Sequence, residues 1–186
     1  MKEGKNIMEN SKMAENNYVC LSGVISEECV FSHEVYGEGF YIFKTEVKRL
    51  SENEDILPVT VSERLIDINS LKRGMTVNVM GQMRSYNHYS SKKNKLILTT
   101  FAKEIEIGED ILANPNEIFL NGFICKTPVY RTTPFGREIT DLLIAVNRSY
   151  GKSDYIPCIA WGRNAKFAGG LEVGNNIEIW GRVQSR

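Results

Sequence analysis

Apolar and polar residues alternate with a period of two along most of this chain, the pattern of half-buried strands. The first such run places Val19, Leu21, Gly23 and Ile25 on one face, and further β-rich runs lie near 39–49, 55–62, 138–148 and 154–161. Only two short stretches, ERLIDINSL and RNAKFAG, have helical character. The pattern therefore predicts an all-β chain in which each half carries one short helix.

The two halves of the chain repeat each other. A shift of 99 positions superposes them without a gap, and after one extra residue the shift becomes 100. Chance rarely keeps one register that long, so two copies of one structural unit are predicted. The superposed pairs include Asn17 with Asn116, Gly23 with Gly122, Arg49 with Arg148, Asp55 with Asp154, Gly81 with Gly181 and Ser85 with Ser185.

Each copy has the features of a small barrel. Glycine inside a strand marks a bulge or a sharp bend, which suits Gly23 and Gly122 in strands that curl between two sheets. Short strands, one helix and strand glycines together favour a closed barrel. The predicted organisation is a flexible leader (1–16), a first barrel (17–107), a linker (108–115) and a second barrel (116–186).

The second copy is shorter than the first. The first copy continues into a polar hairpin and a last strand from about Lys95 to Ile107, whereas the second copy stops before any such strand. We therefore expect the second barrel to lack its last strand. Truncation of the chain is the favoured explanation, and completion by a strand of a partner is the alternative.

Composition excludes several classes of protein. The 186 residues carry 23 basic and 23 acidic side chains, which argues against a histone-like or wholly disordered chain. No apolar run approaches the roughly 18 residues of a membrane span, and the polar leader lacks the core of a secretory signal, so a cytoplasmic protein is expected. The four cysteines form no C-x-x-C pair and are interpreted as free thiols rather than two disulfides. We expect no metal, no cofactor and, since no catalytic motif occurs, no enzymatic activity.

Four motifs follow one another in the second copy: Asn-x-x-x-Leu-x-Gly, Ala-Val-Asn-Arg, Cys-x-Ala-Trp-Gly-Arg-x-Ala and Gly-Arg-x-Gln-x-Arg. With these motifs, and with Pro128, Arg131, Thr132 and Gly136 between the first two, the second copy resembles the bacterial single-stranded-DNA-binding proteins over its whole length. The resemblance implies two tandem oligonucleotide-binding (OB) folds and binding of single-stranded DNA without sequence preference in replication, recombination or repair. It also implies a homodimer presenting four barrels, associated with the nucleoid. The family's acidic C-terminal tip, which recruits partner proteins, is absent from this sequence.

The first copy departs from that family where contacts with DNA are expected. Ser62 stands in the position of Trp161, Ser32 in that of Arg131 and Ile56 in that of Tyr155. Charge shows the same asymmetry, since residues 1–110 carry a net charge of −3 and residues 111–186 a net charge of +3. The second barrel is therefore the stronger candidate for nucleic-acid binding.

Binding of single strands without sequence preference requires aromatic faces for bases and positive charge for phosphates. Strand DYIPCIAW places aromatic residues at both ends of its outward face, and further aromatic and basic residues lie in the neighbouring turns. The candidates in the second copy are Tyr130, Arg131, Phe135, Arg148, Tyr150, Tyr155, Trp161, Arg163 and Arg182. The candidates in the first copy lie in its hairpin and are Arg84, Tyr86, Tyr89, Lys92 and Lys93.

Other roles for these residues stay open on sequence alone. Trp161 could pack under the helix, Tyr130 and Phe135 could pack within loops, and the hairpin of the first copy could be a solvated tip. Trp180 could stack on DNA or pack between subunits or barrels. Besides DNA binding, a structural adaptor of a primosome or of a mobile-element replication complex is the alternative function, and RNA binding is a third hypothesis.

Overall fold

The computed structural model describes residues 16–49, 53–89 and 94–185. The predicted leader lies outside these ranges except for Asn16. The chain divides into an N-terminal unit, Asn17–Phe119 with Trp180–Arg186, and a C-terminal unit, Leu120–Ile179 with Asn16. The domain boundaries predicted from the sequence stay predictions.

The first five strands form a closed barrel in the N-terminal unit. β1 pairs with β2 and β4, β2 with β3, and β4 with β5, all antiparallel, and a short parallel pairing of β3 with β5 closes the ring. The interior is apolar, with Val19, Leu21, Phe43, Val59 and Val77 at 0–1% exposure. The strands are β1 (Asn17–Val35), β2 (Glu38–Lys48), β3 (Glu54–Ser62), β4 (Thr76–Tyr89) and β5 (Asn94–Gly108).

β1 bends where it changes partner, and Gly23 lies at this bend. Residues up to Val24 pair with β4, and residues from Val24 onward pair with β2. A Cβ atom at Gly23 would meet the carbonyl oxygen of Glu46 at 2.3 Å. The close approach of two backbones explains the glycine in this strand.

The helical stretch of the first copy is shorter than its sequence suggests. ERLIDINSL contains a 3₁₀ turn, Ile68–Ser70, in which the Asp67 side chain accepts a hydrogen bond from the Asn69 amide at 3.0 Å. Asparagine, aspartate and serine compete for backbone hydrogen bonds and favour such turns over a regular helix.

The C-terminal unit is built on β8 (Glu138–Asn147), which pairs with β7 (Val129–Thr132) on one side and β9 (Ser153–Trp161) on the other. β6 (Asn116–Ile124) pairs with β8 and with β10 (Asn176–Gly181), the last strand in the described part of the chain. Helix α1 (Arg163–Gly169) follows β9 and is fixed by a hydrogen bond from the Thr140 hydroxyl to the Ala165 carbonyl at 2.7 Å. The all-β prediction with two OB-type units is confirmed.

Two sets of polar side-chain contacts recur at equivalent positions of the repeat. The Asn17 side chain donates to the Met83 carbonyl and accepts from the Met83 amide, both at 2.8 Å, and Asn116 makes the same pair of bonds with Val183. The second set joins a buried aspartate to an arginine, as Asp55 with Arg49 and as Asp154 with Arg148. The superposed positions thus hold the frame of each copy together.

Candidate nucleic-acid interface

The antiparallel sheet β7–β8–β9 has one face turned into the C-terminal unit and one turned outward. Ile144 and Ile156 are paired neighbours on the inner face and are buried. Residues one position along each strand project to the opposite side, which we call the outer face. Its members on the three strands are Val129 and Arg131, then Ile139, Asp141, Leu143 and Ala145, then Tyr155, Pro157, Ile159 and Trp161. Ile139 lies between Arg131 and Trp161 and is buried.

Aromatic rings lie at both ends of the outer face. Tyr155 and Trp161 are each 48% exposed. They are six residues apart on β9, which corresponds to about 20 Å along a strand. Pro157 and Ile159 lie between them, so the stretch that joins the rings is apolar and gives no competing polar contact. This arrangement can receive several unpaired bases on one continuous surface.

An ion pair lies on the same face. Arg131 on β7 donates from Nε to Asp141 Oδ2 at 2.6 Å and from Nη2 to Oδ1 at 3.3 Å. Both side chains reach solvent, with Arg131 47% and Asp141 37% exposed. The hydrogen bond to Asp141 raises the pKa of Arg131, so its positive charge is retained at every physiological pH.

Tyr130 lies on the other side of β7 from Arg131. Its hydroxyl donates to Glu138 Oε1 at 2.6 Å, and Glu138 also forms an ion pair with Lys166 of α1 at 3.2 Å. The hydrogen bond raises the pKa of Tyr130 and, together with Lys166, lowers that of Glu138. The structure therefore does not bring Tyr130 onto the face that carries Trp161.

Two predicted aromatic residues project from turns. Phe135 lies at the tip of the β7–β8 hairpin, where the following Gly136 has a φ of 73°, and Tyr150 lies in the 3₁₀ turn Ser149–Gly151 with a φ of 63°. Both rings are almost fully exposed. A fully exposed aromatic ring gives up few contacts with the protein when it stacks on a base, so both rings are suited to contacts outside the sheet.

The predicted arginines differ in their surroundings. Arg163 is exposed at the start of α1, and Arg182 is exposed after β10 in the N-terminal unit. Arg148 instead forms an ion pair with Asp154, whose side chain is 0% exposed. Because a buried carboxylate requires a partner, the first role of Arg148 is structural.

In the N-terminal unit, Arg84 and Tyr86 are on the same side of β4. Arg84 donates to Gln82 at 2.5 Å, and Tyr86 is partly exposed opposite Ile97. Tyr89 is the last residue of β4. Lys92 and Lys93 lie outside the described residues.

The position equivalent to Trp161 is closed in the N-terminal unit. Ser62 is buried, donates its hydroxyl hydrogen bond to Glu38 and accepts one from the Arg64 amide at 3.1 Å. Arg64 in turn forms an ion pair with Glu38 at 3.3 Å. The serine at this position thus lies in a hydrogen-bonded group with Glu38 and Arg64, whereas the other copy exposes an indole ring.

Sequence reasoning missed two exposed aromatic residues of the N-terminal unit. Tyr36 is fully exposed at the β1–β2 turn, and Phe31 is exposed with its ring 5.6 Å from that of Tyr41. The repeat itself carried the signal, because a shift of 99 positions places Tyr36 on Phe135 and Phe31 on Tyr130. Glu34 and Glu38 lie beside this turn, so its charge does not favour phosphate.

Trp180 has an aromatic neighbour. Its ring centroid lies 4.6 Å from that of Phe119, and the indole is still half exposed. One face of the Trp180 ring is therefore occupied by the contact with Phe119.

Other types of site receive little support in the described ranges. No group of three His, Cys, Asp or Glu side chains there could hold a metal ion. None of the helices in that part of the chain has the length and apolar character needed to cross a membrane. Burial raises the pKa of the Cys158 thiol to about 12 and that of Cys29 to about 11, which makes both weak nucleophiles at neutral pH.

Comparison with known protein families gives a match for the region that contains the outer face. The model of the single-strand binding protein family matches residues 115–186. Among curated proteins, single-stranded DNA-binding protein 1 of Staphylococcus aureus is 35% identical to this chain over 78 residues, and single-stranded DNA-binding protein A of Bacillus subtilis is 33% identical over 78 residues. Each alignment covers 38% of this chain, which spans about half the length of these relatives (47% and 45%).

Solved structures extend the likeness to both units at the level of the fold. The wild-type single-stranded DNA binding protein of Thermus aquaticus superposes on 90% of this chain and 84% of its own, with a TM-score of 0.75 and 20% sequence identity. Because the superposition covers nearly the whole chain, the N-terminal unit shares the fold as well.

Proposed function

We propose that this protein binds single-stranded DNA without strong sequence preference, through the outer face of its C-terminal unit. The observation that carries the proposal is the pair of half-exposed rings, Tyr155 and Trp161, at the two ends of one apolar strand face. Bases stack on such rings whatever their identity, because every base has a π-face. The match of this region to the single-strand binding protein family supports the same function.

Binding of single strands also requires positive charge for the phosphates, and such charge lies near the rings. Arg163 follows β9 directly and is exposed, and Lys152 is exposed beside Tyr150 in the preceding turn. Phosphates that these side chains neutralise release counterions, which contributes affinity that falls as salt rises. In the N-terminal unit, Ser62 stands in the position of Trp161, and Arg64, the equivalent of Arg163, forms an ion pair with Glu38. We infer that this unit binds DNA weakly or not at all through its sheet.

Further roles follow from the family resemblance. We propose that the chain acts in replication, recombination or repair, as a homodimer, in the cytoplasm next to the nucleoid. The adaptor hypothesis is not favoured, since the family model that matches residues 115–186 is that of single-strand binding proteins. No reaction is proposed for the protein.

Truncation of one ring tests the site. Trp161→Ala should weaken binding to oligo-dT by about 1–3 kcal/mol, the usual contribution of one stacked base. Fluorescence anisotropy with labelled oligo-dT at fixed salt measures this loss. Wild-type affinity in the variant would show that the outer face is not the binding surface.

Ser62→Ala is the matched control, because Ser62 is the repeat equivalent of Trp161. Its affinity for oligo-dT should stay within a factor of two of the wild-type value, on the order of the 0.5 kcal/mol scatter of neutral substitutions. Equal losses at the two positions would contradict the proposed asymmetry between the units. Gel filtration with and without oligo-dT, at two salt concentrations, tests the homodimer.

A further inference from the structure

The two charged side chains among the outer-face residues named above, Arg131 and Asp141, form one ion pair. Arg131 is paired with Ile139 on β8, and Ile139 is paired with Trp161 on β9, so these three residues form one row across the sheet. Two strand spacings, about 10 Å, separate the backbones of Arg131 and Trp161. Since 47% of the Arg131 side chain is exposed, it is placed to meet the phosphates of a strand whose bases stack on the β9 rings.

The stability of the fold does not explain this ion pair. Both side chains reach solvent, and exposed ion pairs contribute little to stability. The 99-residue shift places Ser32 at the position of Arg131 and Ile42 at that of Asp141, so the N-terminal unit folds without either charge. The buried pair of aspartate and arginine, in contrast, recurs in both units. The exposed pair therefore belongs to the surface of the C-terminal unit rather than to its frame.

We propose that Asp141 holds Arg131 back from the phosphates of a bound single strand, and thereby limits the affinity of the outer face for DNA. The inference rests on the proposed function and concerns the regulation of the same surface. Arg131 donates from Nε to one oxygen of Asp141 and from Nη2 to the other, at 2.6 and 3.3 Å. A phosphate is bound by the same fork of two parallel N–H groups, so the carboxylate occupies the place that a phosphate would take.

The charges of the pair act in the same direction as its geometry. An ion pair has no net charge, and a phosphate that approaches Arg131 also meets the carboxylate of Asp141, which repels it. Because Asp141 already neutralises Arg131, contact with DNA at this place releases no counterion and adds no salt dependence. The phosphates then depend on other cations of the unit, such as Arg163 and Lys152.

Replacement of Asp141 by asparagine in the full chain tests the inference. Asp141→Asn keeps the shape of the side chain but removes its charge, so Arg131 becomes free to bind a phosphate. The variant should bind oligo-dT more tightly than wild type does, and its slope of log K against log salt should be steeper by about 0.7. Between 50 and 200 mM salt, its gain in affinity should therefore shrink roughly 2.6-fold. Fluorescence anisotropy with labelled oligo-dT measures both quantities.

The double variant Arg131→Ala/Asp141→Asn distinguishes an arginine that is held back from one that already binds DNA. If the pair makes no phosphate contact in the wild type, removal of both charges leaves the slope at its wild-type value, which is the expected result. A slope reduced by about 0.7 would mean that Arg131 binds a phosphate in spite of Asp141. That result, or a wild-type slope in Asp141→Asn, overturns the inference while single-strand binding stands.

Glu172→Gln is the control for net charge. Glu172 is exposed and is not on the outer face, so this variant should keep the wild-type slope. A slope as steep as that of Asp141→Asn would assign the effect to net charge and overturn the inference, as would a large fall in melting temperature on removal of the Arg131–Asp141 pair, which would make it part of the frame. Absence of oligo-dT binding by the wild-type protein overturns the proposed function instead, and the inference with it.

Discussion

At the scale of single residues, the most constrained group is the buried carboxylate of Asp55. It is 0% exposed, and Arg49 donates to both of its oxygens at 2.5 and 2.8 Å. The Ser185 amide adds a hydrogen bond at 2.8 Å. Burial alone would raise the pKa of Asp55, but the bonds from Arg49 and Ser185 outweigh it and lower the pKa below its ordinary value.

A group whose pKa is lower in the folded state stabilises the protein while it is ionised. Asp55→Asn should therefore lower the free energy of unfolding by about 3 kcal/mol at pH 7, because Arg49 is left without its counter-charge. The difference from wild type should shrink as the pH falls below about 4, where the wild-type carboxyl also takes up its proton. Urea unfolding at pH 7 and pH 3 measures both effects.

Glu27→Gln is the matched control for that substitution. Glu27 forms an ion pair with Lys44 at 2.9 Å, but both side chains are exposed. Exposed pairs contribute about 0–1 kcal/mol, so the control should unfold nearly as wild type does. A stability gap for Asp55→Asn that widens in acid would refute the assigned role.

At the scale of elements, the strands and their inward faces were predictable from the sequence, whereas the short helix expected in the first copy is only a 3₁₀ turn, Ile68–Ser70. Val19, Leu21 and Ile25 were placed on one strand face by their alternation, and each is buried. Alternation works here because the side chains of a strand change side at every residue. The stretch around Asp67 instead depends on local side-chain hydrogen bonds, which periodicity does not report.

The bend in β1 gives a test at this scale. Gly23→Ala should lower the stability by about 1–3 kcal/mol, because a Cβ atom would lie 2.3 Å from the Glu46 carbonyl oxygen. Thermal unfolding followed by circular dichroism measures the loss. Gly108→Ala is the control at the end of β5, where the nearest atom is a side-chain nitrogen of Asn78 at 3.3 Å. Similar melting temperatures for both variants would argue against a backbone contact at Gly23.

At the scale of the whole molecule, the sequence predicted which strand carries exposed aromatic residues but not the arrangement of the side chains around it. Tyr155 and Trp161 were assigned to an outward face, and both are exposed on it. Arg131 and Asp141 are ten residues apart, so their pairing depends on the register of β7 on β8, which no local pattern specifies. For the same reason the contact of Tyr130 with Glu138 could not be foreseen.

The difference in charge between the two halves predicts where salt acts on binding. Arg163→Ala should reduce the slope of log K against log salt by about 0.7, the value for one phosphate contact on a single strand. Arg73→Ala removes the same charge from an exposed position in the N-terminal unit and should leave the slope unchanged. Titrations with oligo-dT at four salt concentrations compare the two variants. Equal slopes for both would mean that Arg163 of the C-terminal unit contributes no more to phosphate binding than Arg73 does.

The two central hairpins have one register. β2 and β3 pair from Phe40 with Ser62 to Lys48 with Glu54, and β8 and β9 pair from Ile139 with Trp161 to Asn147 with Ser153. These positions coincide under the 99-residue shift, so every cross-strand neighbour of one hairpin has a counterpart in the other. The chain thereby contains a design template, since the segment 153–161 fits onto 54–62 in the register that β3 already has with β2.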